Sequence, residues 1–340
     1  MNIVVVARPR SHHTMAPRVL RISPAQAPLL LRRCYSAAAA SSSSSTEPLI
    51  RVTNLPAAGS GHIRVLELNR PSARNAISKA LLASLRAEVD DVHAQYGPAG
   101  EELPGRKSAS AAAELGPTRA MVLASAVETC FCAGADLKER RGFTPKETAD
   151  FLTNLNATFT SLSDLPIPTI SAISSLALGG GLELALSTHF RVLTSNATVG
   201  LPETRLGILP GAGGTYRLPA LVGLSRARDL VLTGRRVAAP EAYFLGIADR
   251  LVEVVPEDER DGAADNILQV ARKAALSEGV RLAQEICEGG PVAIRAALQA
   301  VAWARPEKEA EMYQRVVGTE DRNEALKAFQ EKRKPIFKGR

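Results

Sequence analysis

Apolar and polar positions change rhythm several times along this chain, and each rhythm predicts a different element. Ile63-Arg64-Val65-Leu66-Glu67-Leu68 alternates in strand fashion. A Pro-containing loop follows over residues 69–75. Ser78 then stands where it can cap a helix running to about Tyr96. Ala120-Met121-Val122-Leu123-Ala124 is a continuous apolar run suited to a buried strand. A helix from about Lys146 to Asp164 leads through Pro166 and Pro168 into a third strand, residues 169–174. That segment runs toward Gly179-Gly180-Gly181, which opens another helix. Strands alternating with helices predict crossover connections and a largely parallel sheet, an α/β core. Beyond Asp261 the pattern is helical throughout, over about 262–288, 291–304, 307–318 and 320–332, with breaks at Gly289-Gly290-Pro291 and Pro306. This second part reads as a cap or an oligomerisation element.

Composition and charge set the boundaries. Residues 97–117 are rich in Gly, Pro, Ala and Ser and read as a surface insertion. The net charge is +7, but residues 1–46 carry six arginines and no acid, so 7 − 6 leaves about +1 for the remainder. Basic character therefore belongs to the leader, and a nucleic-acid-binding body is not indicated. An Arg- and Ser-rich, acid-free N-terminus has the make-up of a mitochondrial transit peptide, which predicts a matrix location. Arg33-Cys34-Tyr35-Ser36 resembles a matrix-peptidase site, with cleavage near Tyr35/Ser36. The expected division is a leader over 1–35, a disordered Ala/Ser linker over 36–48, a core over 49–260 and a helical segment over 261–340. No stretch after residue 50 is apolar for the roughly 18 residues a membrane span needs. Four scattered cysteines (Cys34, Cys130, Cys132, Cys287) predict free thiols, with neither a disulfide framework nor a zinc site.

Candidate chemistry centres on two glutamates in separate glycine-rich settings. Glu183 follows the triple glycine in Ala177-Leu178-Gly179-Gly180-Gly181-Leu182-Glu183. Glu203 follows Gly200-Leu201-Pro202 and precedes Gly211-Ala212-Gly213-Gly214. A third element, Phe131-Cys132-Ala133-Gly134-Ala135-Asp136-Leu137-Lys138, lies upstream. Glycine-rich turns can free backbone N–H groups to grip an oxyanion, and carboxylates in apolar settings can act as acid and base. Each signal has a blander counterpart: tight strand–helix packing for the triple glycine, a simple turn for the Ala-Gly-Ala-Asp loop, and a solvated basic surface for Lys138, Arg140 and Arg141. Glu183 could serve its own helix N-terminus, and Glu203 could pair with Arg205 or Arg217. If both are buried close together, desolvation and repulsion raise at least one pKa. His62, His93 and His189 form neither a metal site nor a serine triad.

These motifs together resemble the crotonase, or enoyl-CoA hydratase/isomerase, superfamily over nearly all of residues 50–340. The resemblance is carried by Leu68-Asn69-Arg70-Pro71-Ser72-Ala73-Arg74-Asn75-Ala76, by residues 131–140, by residues 177–186 and by residues 200–218. It implies a spiral of repeated ββα turns, with C-terminal helices that assemble a homotrimer or a dimer of trimers. It also implies a hydro-lyase using no metal and no cofactor, coenzyme A being part of the substrate. By matching position, the N–H groups of Ala135 and Gly180 form the oxyanion hole, and Glu183 and Glu203 hold the attacking water. Glu203 is then the principal acid/base, and Glu183 orients the water and shares its proton. Ala73, Ala133, Asp136 and Leu137 fall where the family's backbone meets coenzyme A. Arg70, Arg74 and Lys138 are phosphate candidates, and Phe329 and Lys332 are candidates for an adenine site across a subunit boundary.

The implied activity is hydration of a short branched enoyl-CoA, with 3-methylglutaconyl-CoA of leucine breakdown as the specific expectation. A general short-chain enoyl-CoA hydratase is the alternative. Two departures from the family pattern, Ile173-Ser174-Ser175 and His189, bear on local geometry rather than on the proposed chemistry. Some relatives are linked to AU-rich RNA through a lysine-rich helix. Here residues 78–95 hold Lys79 and Arg86 against Glu88, Asp90 and Asp91, so RNA binding is not expected.

Overall fold

The computed structural model describes residues 3–7, 19–22, 47–103, 115–255 and 263–340. Twelve strands occur among them: β1 (Ile3–Ala7), β2 (Val19–Ile22), β3 (Ile50–Pro56), β4 (His62–Leu68), β5 (Thr118–Ser125), β6 (Cys130–Cys132), β7 (Thr169–Ile173), β8 (Leu176–Leu178), β9 (Phe190–Thr194), β10 (Thr198–Gly200), β11 (Arg236–Ala238) and β12 (Arg250–Glu253). The larger sheet runs β2-β1-β12-β9-β7-β5-β4-β3, and its centre, β4 through β12, is parallel. A smaller sheet runs β11-β10-β8-β6, with only β11 antiparallel. This is the α/β crotonase fold expected from the motifs.

Strand β4 is where the sequence placed a strand, and it is buried on both faces. All seven of its residues are buried, although charged and apolar positions alternate. Ile63 and Val65 enter one core cluster, Leu66 and Leu68 the other. The first cluster lies against α8 (Ala263–Cys287), and the second holds α1 (Lys79–His93) and α3 (Pro145–Ser163). Helices on both faces leave no solvent side for the charges, so the charges are paired. Arg64 bonds Glu88 and Asp91 of α1, and Glu67 accepts from Arg272 of α8 at 2.9 Å.

Local capping follows the sequence closely. Ser78 accepts from the Leu81 N–H at 3.2 Å at the start of α1. Thr144 and Glu147 form a reciprocal capping box at the start of α3. The other helices are α2 (Leu137–Arg140), α4 (Gly180–Leu186), α5 (Gly214–Val222), α6 (Leu224–Thr233), α7 (Ala239–Leu245), α9 (Pro291–Trp303), α10 (Pro306–Val317) and α11 (Glu320–Gln330). The four C-terminal helices thus match the predicted breaks within a residue or two.

The segment read as a surface insertion is partly anchored. Gly100 is buried and its carbonyl accepts from Arg295 of α9 at 2.8 Å, while Glu102 pairs with both Arg119 of β5 and Arg295. Residues 104–114 of that segment lie outside the described residues. So do the expected cleavage position at Tyr35/Ser36 and the linker up to residue 46, whereas β1 and β2 within the leader pair antiparallel at the β12 edge. Among the described residues no helix is long and apolar enough to cross a membrane.

Candidate active site

Strands β6 and β8 lie parallel and adjacent, so the loops leaving their C-terminal ends emerge side by side. After β6 comes Ala133-Gly134-Ala135, and after β8 comes the triple glycine that begins α4. Gly134 has φ +94°, and a Cβ there would sit 2.7 Å from the Leu178 carbonyl oxygen, so this close approach demands glycine. A Cβ built on Gly180 would lie 3.6 Å from the Ala135 nitrogen. The Ala135 and Gly180 N–H groups therefore neighbour one another, and neither has an acceptor among the described residues. Gly180 also opens α4, so its N–H carries the positive end of the helix.

The carboxylates arrive from two further elements. Glu183 is in the first turn of α4, only 2% exposed. Its Oε1 accepts from the Ala212 and Gly214 N–H groups, both at 2.8 Å. It therefore binds a different loop rather than capping its own helix. Glu203 follows β10, which is joined to β8 through the Gly179 N–H to Gly200 carbonyl bond of 2.8 Å. A Cβ on Gly179 would lie 3.0 Å from Glu203 Oε1, which places that carboxylate directly over the glycine. Glu203 makes no ion pair with Arg205 or Arg217: Arg205 donates to the Thr233 carbonyl and Arg217 to that of Ala212. Its buried Oε2 has no hydrogen-bond partner among the described residues.

Electrostatics separates the two acids. Burial pushes Glu203 up to about 7, and the Glu183 charge adds to the rise. Burial also raises Glu183, but the Gly214 and Ala212 N–H groups and the Arg217 charge oppose it. Both carboxyls therefore lie above the ordinary glutamate range, Glu203 at about 7, and Glu183 is the one whose charged form is favoured by backbone donors and a nearby cation.

The remaining expected residues are distributed unevenly. Arg70 is already engaged, donating to Asp136 at 2.7 Å and to the Ala76 carbonyl at 2.8 Å, and Asp136 in turn caps α2. Arg74 and Lys138 are exposed with no ion pair among the described residues, and Leu137 is exposed beside them. Ala73 ends the turn Pro71–Ala73, and Ala133 is exposed at the mouth of its loop. Arg140 lies over the Phe151 ring, 5.7 Å from its centroid. Phe329, 83% exposed, and Lys332 stand at the end of α11. The histidines are structural: His62 bonds Gly116, His93 bonds Ser161, and His189 bonds Thr169. Burial pushes His189 down to about 4, so it is neutral. No cluster of metal-ligating side chains occurs among the described residues. The role of residues 211–214 in holding Glu183 escaped the sequence reading. The glycine run was its only signal, and it names no partner.

Two adjacent unpaired N–H donors beside two buried carboxyl groups in unequal environments suit acid/base chemistry on a group whose oxygen gathers charge. The Enoyl-CoA hydratase/isomerase family model matches residues 112–340. Methylglutaconyl-CoA hydratase 1, mitochondrial, from Pyricularia oryzae is 68% identical over 86% of this chain and 88% of its own length. An enoyl-CoA isomerase/hydratase from Zymoseptoria tritici is 56% identical over 87% and 90%. The crystal structure of an enoyl-CoA hydratase from Bacillus anthracis superposes with a TM-score of 0.69 at 34% identity, covering 86% of this chain and all of that one. The chain belongs to the enoyl-CoA hydratase/isomerase family.

Proposed function

We propose that this chain is a mitochondrial methylglutaconyl-CoA hydratase, adding water across the C2=C3 bond of 3-methylglutaconyl-CoA to give 3-hydroxy-3-methylglutaryl-CoA. The observation that carries the reaction class is the unequal pair: an orphaned, proton-holding Glu203 and an N–H-anchored Glu183, beside two unused backbone donors. The substrate assignment draws on the Pyricularia oryzae relative, similar along nearly the whole chain.

In this mechanism the thioester carbonyl oxygen sits between the Ala135 and Gly180 N–H groups. Water lies between the carboxyl groups and gives a proton to Glu183 as its oxygen bonds C3. The C2=C3 electrons move toward the carbonyl, where the two N–H groups stabilise the enolate-like charge. Glu203 then delivers its proton to C2. Return of the water-derived proton from Glu183 to Glu203 restores the starting state, so no metal or redox group is required. This refines the expectation from sequence, which made Glu203 the principal acid/base: the geometry favours Glu203 as acid and Glu183 as base.

Coenzyme A would run along Ala73, Ala133, Asp136 and Leu137, with Arg74 and Lys138 free to meet phosphate and Arg70 acting mainly through Asp136. Phe329 and Lys332 would reach an adenine group on a neighbouring subunit of a homotrimer or a dimer of trimers. Lys138, Arg140 and Arg141, shortly after Ala135 in the chain, are candidates to receive the substrate's free carboxylate.

The Zymoseptoria tritici relative's name supports a second reading, double-bond isomerisation. Purified protein supplied with 3-methylglutaconyl-CoA, crotonyl-CoA and a 3-enoyl-CoA separates these readings. Preference for the branched diacid substrate, lost in Glu203→Gln, is expected. Better turnover of crotonyl-CoA would return the chain to general short-chain hydration, and conversion of the 3-enoyl-CoA alone would make it an isomerase.

A further inference from the structure

We infer that Arg217 is a positioning residue for the hydration, acting on Glu183 through the backbone of residues 212–214. The inference deepens the proposed function and rests on its assignment of Glu183 as base.

Arg217 lies one turn into α5, immediately after the loop that holds Glu183. Its Nη1 donates to the Ala212 carbonyl at 3.0 Å. The N–H of the same residue, Ala212, donates to Glu183 Oε1 at 2.8 Å. One guanidinium thus holds the 212–213 peptide, which links the two peptide units that present the N–H pair. The close fit is written into the neighbouring backbone. Gly213 has φ +108°, and a Cβ there would fall 2.0 Å from Arg217 Nη1. Only a bare α-carbon lets the guanidinium lie in this place. Arg217 also stacks on Tyr216, 4.9 Å from the ring centroid, which restrains its far side.

An arginine this constrained usually serves a carboxylate ion pair, yet Arg217 has none among the described residues. Its charge instead acts across the loop on Glu183, in the direction that keeps that carboxylate ionised. Other titratable groups near α4 do not substitute for it. Glu203 brings no positive charge, and the Cys130 and Cys132 thiols of β6 are held neutral by burial, at about 11 and about 12. Strand β8 contributes only Leu176, Ala177 and Leu178. The segment therefore both aims the base and sets its charge.

The test is a pH series of kcat and KM on full-length wild type, Arg217→Gln, Arg217→Lys, Glu183→Gln and the Glu183→Gln/Arg217→Gln double variant, with 3-methylglutaconyl-CoA. Arg217→Gln should lower kcat roughly 10- to 100-fold with KM changed no more than about twofold. Its acid limb should move to higher pH, because Glu183 loses the cation that favours its charged form. Arg217→Lys keeps the charge, so its acid limb should stay in place while kcat falls severalfold. In the Glu183→Gln background, Arg217→Gln should cost little more, since the group it positions is gone. Wild-type kcat and pH profile in Arg217→Gln would overturn the inference, as would a fully additive loss in the double variant. If Arg217→Gln does not fold, wild-type kcat in Arg217→Lys overturns it instead. Full activity in Glu183→Gln, or an inactive wild type, would sink the underlying site assignment itself.

Discussion

Glu183 and Glu203 share one buried site but not one environment: Glu183 Oε1 receives two backbone N–H groups at 2.8 Å, while Glu203 Oε2 receives none among the described residues. Backbone donors oppose the rise that burial imposes on Glu183, whereas burial carries Glu203 to about 7. Division of labour in the reaction follows from that asymmetry.

Removing either carboxylate should therefore cost the chemical step rather than binding. Glu203→Gln and Glu183→Gln are each expected to lower kcat by ~10²–10⁴-fold, with KM little changed. The double variant should lose far less than the product of the two, because one proton path is broken either way. Steady-state hydration kinetics on the three variants check this.

The pH dependence follows from the raised Glu203. Hydration needs Glu203 protonated, so kcat/KM should fall as pH rises through the region of its value, about 7. The limb belongs to the coupled pair and should vanish from the residual activity of Glu203→Gln. A flat kcat/KM from pH 6 to pH 9 would contradict the acid role.

On substitution of Glu203, stability should move in the opposite sense to activity. The folded-state value of Glu203 lies above its ordinary 4.5, so the stability it contributes is intact below that value and is lost as pH rises through about 7. At pH 8 the wild type carries a buried charge that the glutamine variant lacks. Glu203→Gln should then be more stable by about 1–2 kcal/mol, allowing for partial solvent access, and the gain should disappear near pH 5. Urea unfolding at both pH values measures it.

Gly181 is a test of the loop packing itself. A Cβ there would meet the Cys132 carbonyl oxygen at 2.1 Å, and backbone cannot rotate away. Gly181→Ala should cost about 1–3 kcal/mol and separate β6 from the α4 start, depressing kcat as the N–H pair spreads. Unchanged melting temperature and kcat would show that the two loops are less tightly joined.

Glu102 tests the anchored part of the insertion. It faces two arginines that are nearly buried, at 4% and 6% side-chain exposure. Glu102→Ala leaves both cations without their partner and should destabilise the protein by about 3–5 kcal/mol, with kcat per folded molecule preserved. Thermal unfolding with active-site titration distinguishes the two effects.

Much of this protein is local, and what is local was readable from its residues alone. Ser78, the glycine runs and Pro306 mark where helices begin and strands turn, because capping and φ preferences act over a few neighbours. The two glutamates and the two glycine loops were likewise visible as the candidate chemistry. Tertiary structure decided everything that depends on a partner distant in sequence. The two-sided burial of β4 came from helices packed on both sheet faces, which an alternating pattern cannot announce. Arg70 reads as a phosphate candidate from sequence, and the fold adds an Asp136 bond to its Nη1 from 66 residues away. The unequal surroundings of the two glutamates depend on N–H groups 29 and 31 residues beyond Glu183. Periodicity encodes which face a residue occupies. Its pKa is set by the donors, charges and excluded water that the folded chain gathers around it.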